Sequence, residues 1–163
     1  MPVVFIKPGD FHLSRKPELV TTVLGSCVTI IMYDFYTKIS GMSHCIFPTQ
    51  LNIQEYKPYN EFRYVDTTIV KMLELMGRYK IPKNRIVVKL FGGAEQLHQS
   101  KQKSVGRKNI EMAMSTLEGY GMSITSMDVG GNEGRKIYLS SQTGEVLLSR
   151  LGGIKLVKLD KVT

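Results

Sequence analysis

The sequence predicts an α/β domain built in layers, and three observations predict it. Short runs rich in Val, Ile and Thr recur between Gly, Pro and Asn turn residues, the pattern of buried and half-buried strands. Two longer stretches, 64–79 and 105–120, carry apolar residues at helical spacing. The 163 residues run on without a linker, internal repeat or low-complexity segment. One domain spanning 1–163 is therefore expected, large enough to bury about two-thirds of its unfolded surface.

Taken in order, residues 3–6 read as a short strand closed by Pro8-Gly9-Asp10, and 13–18, polar and holding Pro17, as loop. The β-branched run 19–23 leads into Leu24-Gly25-Ser26. Segments 28–33 and 39–47 form the best hairpin in the chain, joined by a turn over 34–38. Residues 51–63 read as a polar, aromatic loop. The first helix follows over 64–79, with Val65, Ile69, Met72, Leu73 and Met76 on its inner face. Pro82-Lys83-Asn84 ends it, 86–91 is a strand, and the polar 95–103 is expected to be mobile. The second helix, 105–120, should turn Ile110, Met114 and Leu117 inward and stop at Gly121. Strands are expected over 122–129, 135–139 and 145–151, and a last edge strand over 154–159 with Lys155 and Lys158 guarding it.

Composition excludes several function classes. No apolar run approaches the roughly 20 residues that cross a bilayer. The first seven residues have no basic n-region followed by a long apolar run, so no signal peptide is expected and the expected location is the cytoplasm. Two cysteines make no disulfide framework, and with three histidines they show no CxxC or HxxxH spacing, which gives little support for zinc. The net charge of +8 gathers at 80–89, 101–108 and 155–161 and favours an acidic partner. Nucleic acid is not expected to be that partner, because no RNP pattern, finger or recognition helix is visible.

The chemistry points to Thr21-Thr22-Val23-Leu24-Gly25-Ser26-Cys27-Val28 and to Gly41-Met42-Ser43-His44-Cys45-Ile46-Phe47-Pro48. One hairpin brings the Cys27 thiol and the His44 imidazole together. If paired residue numbers sum to 71, Cys27 lies directly opposite His44; a slip of one residue sets it opposite Cys45 and turns His44 to the other face. An imidazole near a thiol can take its proton, and N–H groups of the tight turn at Gly25 and Ser26 can receive a developing oxyanion. A third group should hold the ring in one tautomer, and Thr21, Thr22 and Ser43 are the candidates, with Asp34 too far along the hairpin. Cys45 reads as packing, and His12 and His98, in polar segments, as surface residues. The pairs Gly92-Gly93 and Gly130-Gly131 match no phosphate loop and read as strand-end turns.

Taken together, Leu24-Gly25-Ser26-Cys27-Val28, His44 with Pro48, Phe91-Gly92-Gly93-Ala94, Gly106 with Asn109, the run from Asp128-Val129-Gly130-Gly131 through Asn132-Glu133-Gly134-Arg135, and Thr143-Gly144 resemble the CheD family of chemoreceptor glutamine deamidases. The resemblance implies a layered sandwich of mixed β-sheet with two main helices packed outside, similar to the catalytic domain of the cytotoxic necrotizing factor toxins. It implies a cysteine hydrolase with Cys27 as nucleophile, His44 as base and Thr21, six residues before the cysteine, as the group that orients the ring. No cofactor or metal is implied. The implied partners are the cytoplasmic helices of chemoreceptors, whose glutamines and in some members glutamyl methyl esters are hydrolysed, and the phosphatase CheC. Phe47, Cys45, Glu95-Gln96 and Lys108 depart from the common family pattern without touching Cys27, His44 or Thr21.

Overall fold

Among the described residues ten strands and two α-helices are layered so that each apolar stripe finds a covering layer. The computed structural model describes residues 1–50, 60–95 and 104–152, and the backbone of 156–160. In chain order the elements are β1 (Val3–Phe5), β2 (Phe11–Ser14), β3 (Leu19–Leu24), β4 (Val28–Asp34), β5 (Ile39–Ser43), α1 (Val65–Arg78), β6 (Val87–Gly92), α2 (Val105–Gly119), β7 (Ile124–Val129), β8 (Arg135–Ser140), β9 (Val146–Arg150) and β10 (Leu156–Asp160). Two mixed five-stranded sheets result. The first has the order β1-β3-β8-β9-β10 and the second β2-β5-β4-β6-β7. Among the described strands, β1–β3 and β6–β7 are the parallel pairs.

Strand periodicity sorts side chains into two cores. Val20 and Leu24 of β3, Ile137 and Leu139 of β8, and Val146 and Leu148 of β9 meet Ile31, Met42 and Phe91 between the sheets. Val28, Ile30 and Met32, on the opposite face of β4, pack beneath Val65, Ile69, Met72 and Met76 of α1 and Ala113 and Leu117 of α2. The layers are thus sheet, sheet, helices: the expected α/β sandwich, with both helices outside the second sheet. Asp128 on β7 ties the two sheets at one end, accepting from Arg135 at 2.7 Å and from Arg150 at 2.5 Å. Arg135 is itself buried and also donates to the Gly130 carbonyl.

Four local expectations change. Segment 13–18 is not all loop: β2 pairs antiparallel with β5, and Gly41, lacking a Cβ, leaves room for the Phe11 ring. On α2 it is Ala113 that faces inward with Leu117, while Met114 is 42% exposed, because the buried stripe runs Gly106-Asn109-Ala113-Leu117. The hairpin register is 73 rather than 71, with Ile31 opposite Met42 and Asp34 opposite Ile39. The turn sets that register. The Asp34 carboxylate accepts from the Thr37 backbone and hydroxyl, the Asp34 carbonyl accepts from Lys38 N–H, and Arg85 holds the same carboxylate at 2.8 and 2.9 Å. Finally, His12 is not a free surface residue, since its Nε2 meets the buried Glu18 carboxylate at 2.7 Å. His98, the expected mobile stretch from residue 96 to 103, and the loop expectation over 51–59 lie outside the described residues.

Gly92 sits where β6 passes the turn before β4. Its φ is +111°, and a Cβ there would lie 2.3 Å from the Cys27 carbonyl oxygen. Backbone strain alone costs about 1–3 kcal/mol at such a position. Gly92→Ala is expected to lower unfolding free energy by about 2 kcal/mol or more, measured by urea denaturation.

Candidate active site

Cys27 follows directly on the turn that ends β3, and Val28 begins β4. Val28 and Cys45 exchange both backbone hydrogen bonds, at 3.1 and 2.8 Å, which extends the hairpin register one step past the end of β5. Cys27 therefore faces Ile46, and His44 stands opposite Thr29, displaced diagonally from Cys27 but on its face. The two-residue offset from the expected register keeps every side chain on the expected side. Diagonal neighbours of this kind have Cβ atoms somewhat under roughly 7–8 Å apart, within reach of a ring such as imidazole. Cys27 packs at the edge of the core between the sheets and remains half-buried, whereas His44 is only 2% exposed.

Backbone bonds fix His44 from the N-terminal segment. Its N–H donates to the Asp10 carbonyl and its own carbonyl accepts from Gly9, where φ is +86° and glycine is favoured. The ring crosses to the other sheet, where Nδ1 meets Thr22 Oγ1 at 2.7 Å. That hydroxyl donates its single proton to the Ile6 carbonyl at 2.8 Å. A carbonyl can only accept, so Thr22 must accept from Nδ1–H, and Nε2 carries the ring's lone pair. The threonine that meets the ring is thus Thr22 and not Thr21. Strand alternation explains the correction: Thr22 shares the inward face of β3 with Val20 and Leu24, while Thr21 points to the opposite face, its Oγ1 buried without a partner among the described residues. Ser43, the other candidate, is engaged with the N–H and carbonyl of Ile30, and Asp34 is paired with Arg85 at the far end of the hairpin.

The turn before Cys27 has all three of its carbonyls occupied. Gly25 accepts from Ala94 N–H at 3.0 Å, Ser26 from Asn109 Nδ2 at 3.0 Å, and Cys27 from Gly93 N–H at 2.9 Å. Among the described residues no acceptor meets the N–H of Gly25, Ser26 or Cys27 apart from the Cys27 sulfur, which its own N–H approaches. Asn109 is the residue whose role the spacing of apolar and reactive residues did not reveal. A polar side chain on the buried stripe of α2 is its sequence signal.

Burial governs the ionisation of this site. It pushes the Cys27 thiol above its usual value against a smaller opposing pull from the Cys27 N–H. It pushes His44 down to about 4, opposed in part by the nearby Asp10 carboxylate. The resting pair is therefore neutral thiol and neutral imidazole. Cys45 lies on the helix side, fully buried, its thiol pushed up to about 11 by burial, so it is a packing residue. A cavity of about 390 Å³ between α1 and α2, bordered by Glu61, Lys71, Glu74 and Tyr120, contains neither Cys27 nor His44. Among the described residues no three His, Cys, Asp or Glu side chains are placed to hold a metal ion, and no helix is long and apolar enough to cross a membrane.

A histidine whose folded-state pKa lies below its unfolded value binds its proton more readily in the unfolded chain. His44 should therefore cost stability as pH falls from about 6.5 toward about 4, and cost nothing above that window. Urea midpoints measured between pH 7 and pH 4 are expected to fall less for His44→Asn than for the wild type. Parallel curves would show that the ring titrates normally.

The profile described as CheD, CheD chemotactic sensory transduction, matches residues 46–150, which lie beyond Cys27 and His44. Longer alignments include both. A protein named probable chemoreceptor glutamine deamidase CheD 2, from Geobacter sulfurreducens, is 40% identical over 93% of this chain and 91% of its own length. Proteins named probable chemoreceptor glutamine deamidase CheD, from Maridesulfovibrio salexigens and Methanococcus maripaludis, are 39% and 36% identical over 91% and 95% of this chain, covering 91% and 99% of their own lengths. By this extent of likeness, the chain belongs to the CheD family.

Proposed function

We propose that this protein deamidates glutamine side chains on the cytoplasmic helices of chemoreceptors, releasing ammonia through a thioester on Cys27. One observation carries the reading. A half-buried thiol at an N–H-rich turn shares a face with an imidazole whose Nδ1 proton is committed to Thr22, which leaves Nε2 as a base.

On this reading Cys27 attacks the carboxamide carbon as Nε2 of His44 takes the thiol proton, so charge develops only with the attack. Nδ1–H stays on Thr22 throughout, and Thr22 stays on the Ile6 carbonyl; the threonine positions the ring without exchanging a proton. The unclaimed N–H groups of Gly25, Ser26 and Cys27 receive the oxyanion. Imidazolium then protonates the departing nitrogen, ammonia leaves, and the thioester remains. Neutral His44 next removes a proton from water, hydroxide adds to the acyl carbon, and collapse returns the thiol and a glutamate carboxylate. A glutamyl methyl ester enters the same sequence with methanol as leaving group, and receptor esters are included in the proposal. The surplus of 8 positive charges suits an acidic helical partner in the cytoplasm, where the proposal places the protein. CheC is included as a partner on the family resemblance alone.

Mass spectrometry of receptor cytoplasmic fragments tests the reading. Wild-type protein should convert specific glutamines to glutamate and Cys27→Ala should not; conversion undiminished in the variant would refute the nucleophile. With the base at about 4 and the thiol above its usual value, kcat/KM should stay flat from roughly pH 5 to 9, with its acid limb near 4 instead of 6.5. Thr22→Val should lower kcat roughly 10- to 100-fold, part of what general base catalysis supplies, and Thr21→Val should change it less than about twofold.

A further inference from the structure

We infer that Asn109, on α2, is a positioning residue that aims the Cys27 N–H into the site and locks the nucleophile turn to the strand segment bearing His44. The inference rests on the proposed roles of Cys27 and His44 and adds a residue to them. Nδ2 of Asn109 donates two hydrogen bonds, to the carbonyls of Ser26 and Ile46, both at 3.0 Å. Ser26 immediately precedes Cys27, and Ile46 lies two residues after His44 and opposite Cys27 in the extended hairpin register. One amide thus bridges both segments of the site.

The side chain is completely buried, and its Oδ1 has no partner among the described residues. A buried acceptor left unpaired needs a reason. Here the two donations supply it: a flipped amide would set Oδ1 against two carbonyl oxygens. The first turn of α2 is built for this approach. A Cβ on Gly106 would lie 2.3 Å from the Ala94 carbonyl oxygen, so only glycine lets the helix come this close to the 93–94 segment.

The consequence for the turn follows from peptide geometry. In a trans peptide the C=O of one residue and the N–H of the next point in opposite directions. Ala94, by holding the Gly25 carbonyl, turns the Ser26 N–H away from itself. Asn109, by holding the Ser26 carbonyl, does the same for the Cys27 N–H. The orientation of the donor nearest the reacting sulfur therefore depends on a side chain that touches neither substrate nor sulfur.

The test pairs steady-state kinetics on receptor fragments with the pH dependence of Cys27 alkylation by iodoacetamide. Asn109→Ala should lower kcat roughly 10- to 100-fold, the scale of one misaimed oxyanion donor, with KM within about threefold. Its Cys27 alkylation midpoint should rise by about half a pH unit or more, since the thiolate loses its N–H partner. Ser141→Ala serves as the control for mere destabilisation. Ser141 also stitches two backbone groups, Glu18 N–H and the Lys16 carbonyl, but at the opposite end of β8, and its removal should move neither readout. Should Asn109→Ala fail to fold, Asn109→Ser, too short to reach both carbonyls, is judged by the same two measurements. A kcat within about twofold of wild type, or an alkylation profile superposable on it, overturns the inference. If wild-type protein deamidates nothing, the proposed function fails by itself, and the alkylation profile still decides on Asn109.

Discussion

A buried imidazole has to place its N–H somewhere, and in this fold the acceptor comes from the opposite sheet. His44 belongs to the second sheet and Thr22 to the first, so the 2.7 Å bond between them spans the apolar layer that separates the two. Its length is set by how Val20, Leu24, Ile31, Met42 and the β8 and β9 side chains pack. Packed sheets sit about 10 Å apart and their cores tolerate little displacement. The tautomer of the ring is consequently a property of sheet packing and needs no charged residue to impose it. Ile6, just past β1, completes the chain by accepting the Thr22 proton, which makes a short edge strand part of the site's architecture.

The turn before Cys27 is organised by the complementary logic. Its carbonyls are all consumed by one platform, the segment after β6 and the first turns of α2, and the N–H groups of Ser26 and Cys27 are thereby turned the other way. That platform can approach only because Gly92, Gly93 and Gly106 lack side chains: Cβ atoms there would lie 2.3, 2.5 and 2.3 Å from the nearest atoms. Gly92, which looks like ordinary strand-end punctuation, is a spacer between the turn and β6, and Gly93 and Gly106 are spacers between the 93–94 segment and α2. The ion-pair tie of Asp128 with Arg135 and Arg150 closes the same end, since Arg135 pairs across the ladder with Leu24, the last residue before Gly25.

Most elements were legible because their periodicities are strong. The hairpin, α1 and the late strands stand where alternation or helical spacing puts them. Four details escaped for identifiable reasons. Adjacent threonines at 21 and 22 are chemically equal, and only the phase of β3 against the partner sheet separates them. The hairpin register depends on the Asp34 carboxylate capping its own turn and being held by Arg85, 51 residues away in sequence. Strand β2 depends on a non-local fit, the Phe11 ring over Gly41, in a segment whose own composition reads as loop. On α2 the inward stripe is built from Gly, Asn and Ala where the larger Met114 invites the opposite assignment.

The uncharged third residue and the depressed imidazole belong together. A carboxylate in place of Thr22 would stabilise imidazolium in the resting state, draw the proton from Cys27 and leave a thiolate–imidazolium pair buried between apolar sheets, where desolvating two charges is expensive. Threonine fixes the ring's orientation without adding that charge, so His44 stays near 4 and the thiol stays protonated. On the proposed mechanism, charge then develops during attack, where N–H groups of the turn meet the oxyanion. The compensating negative charge of Asp10 lies on the exposed turn whose backbone clamps His44 and raises the imidazole only in part. On that mechanism the site reserves its electrostatic stabilisation for the transition state, which is where such stabilisation accelerates a reaction.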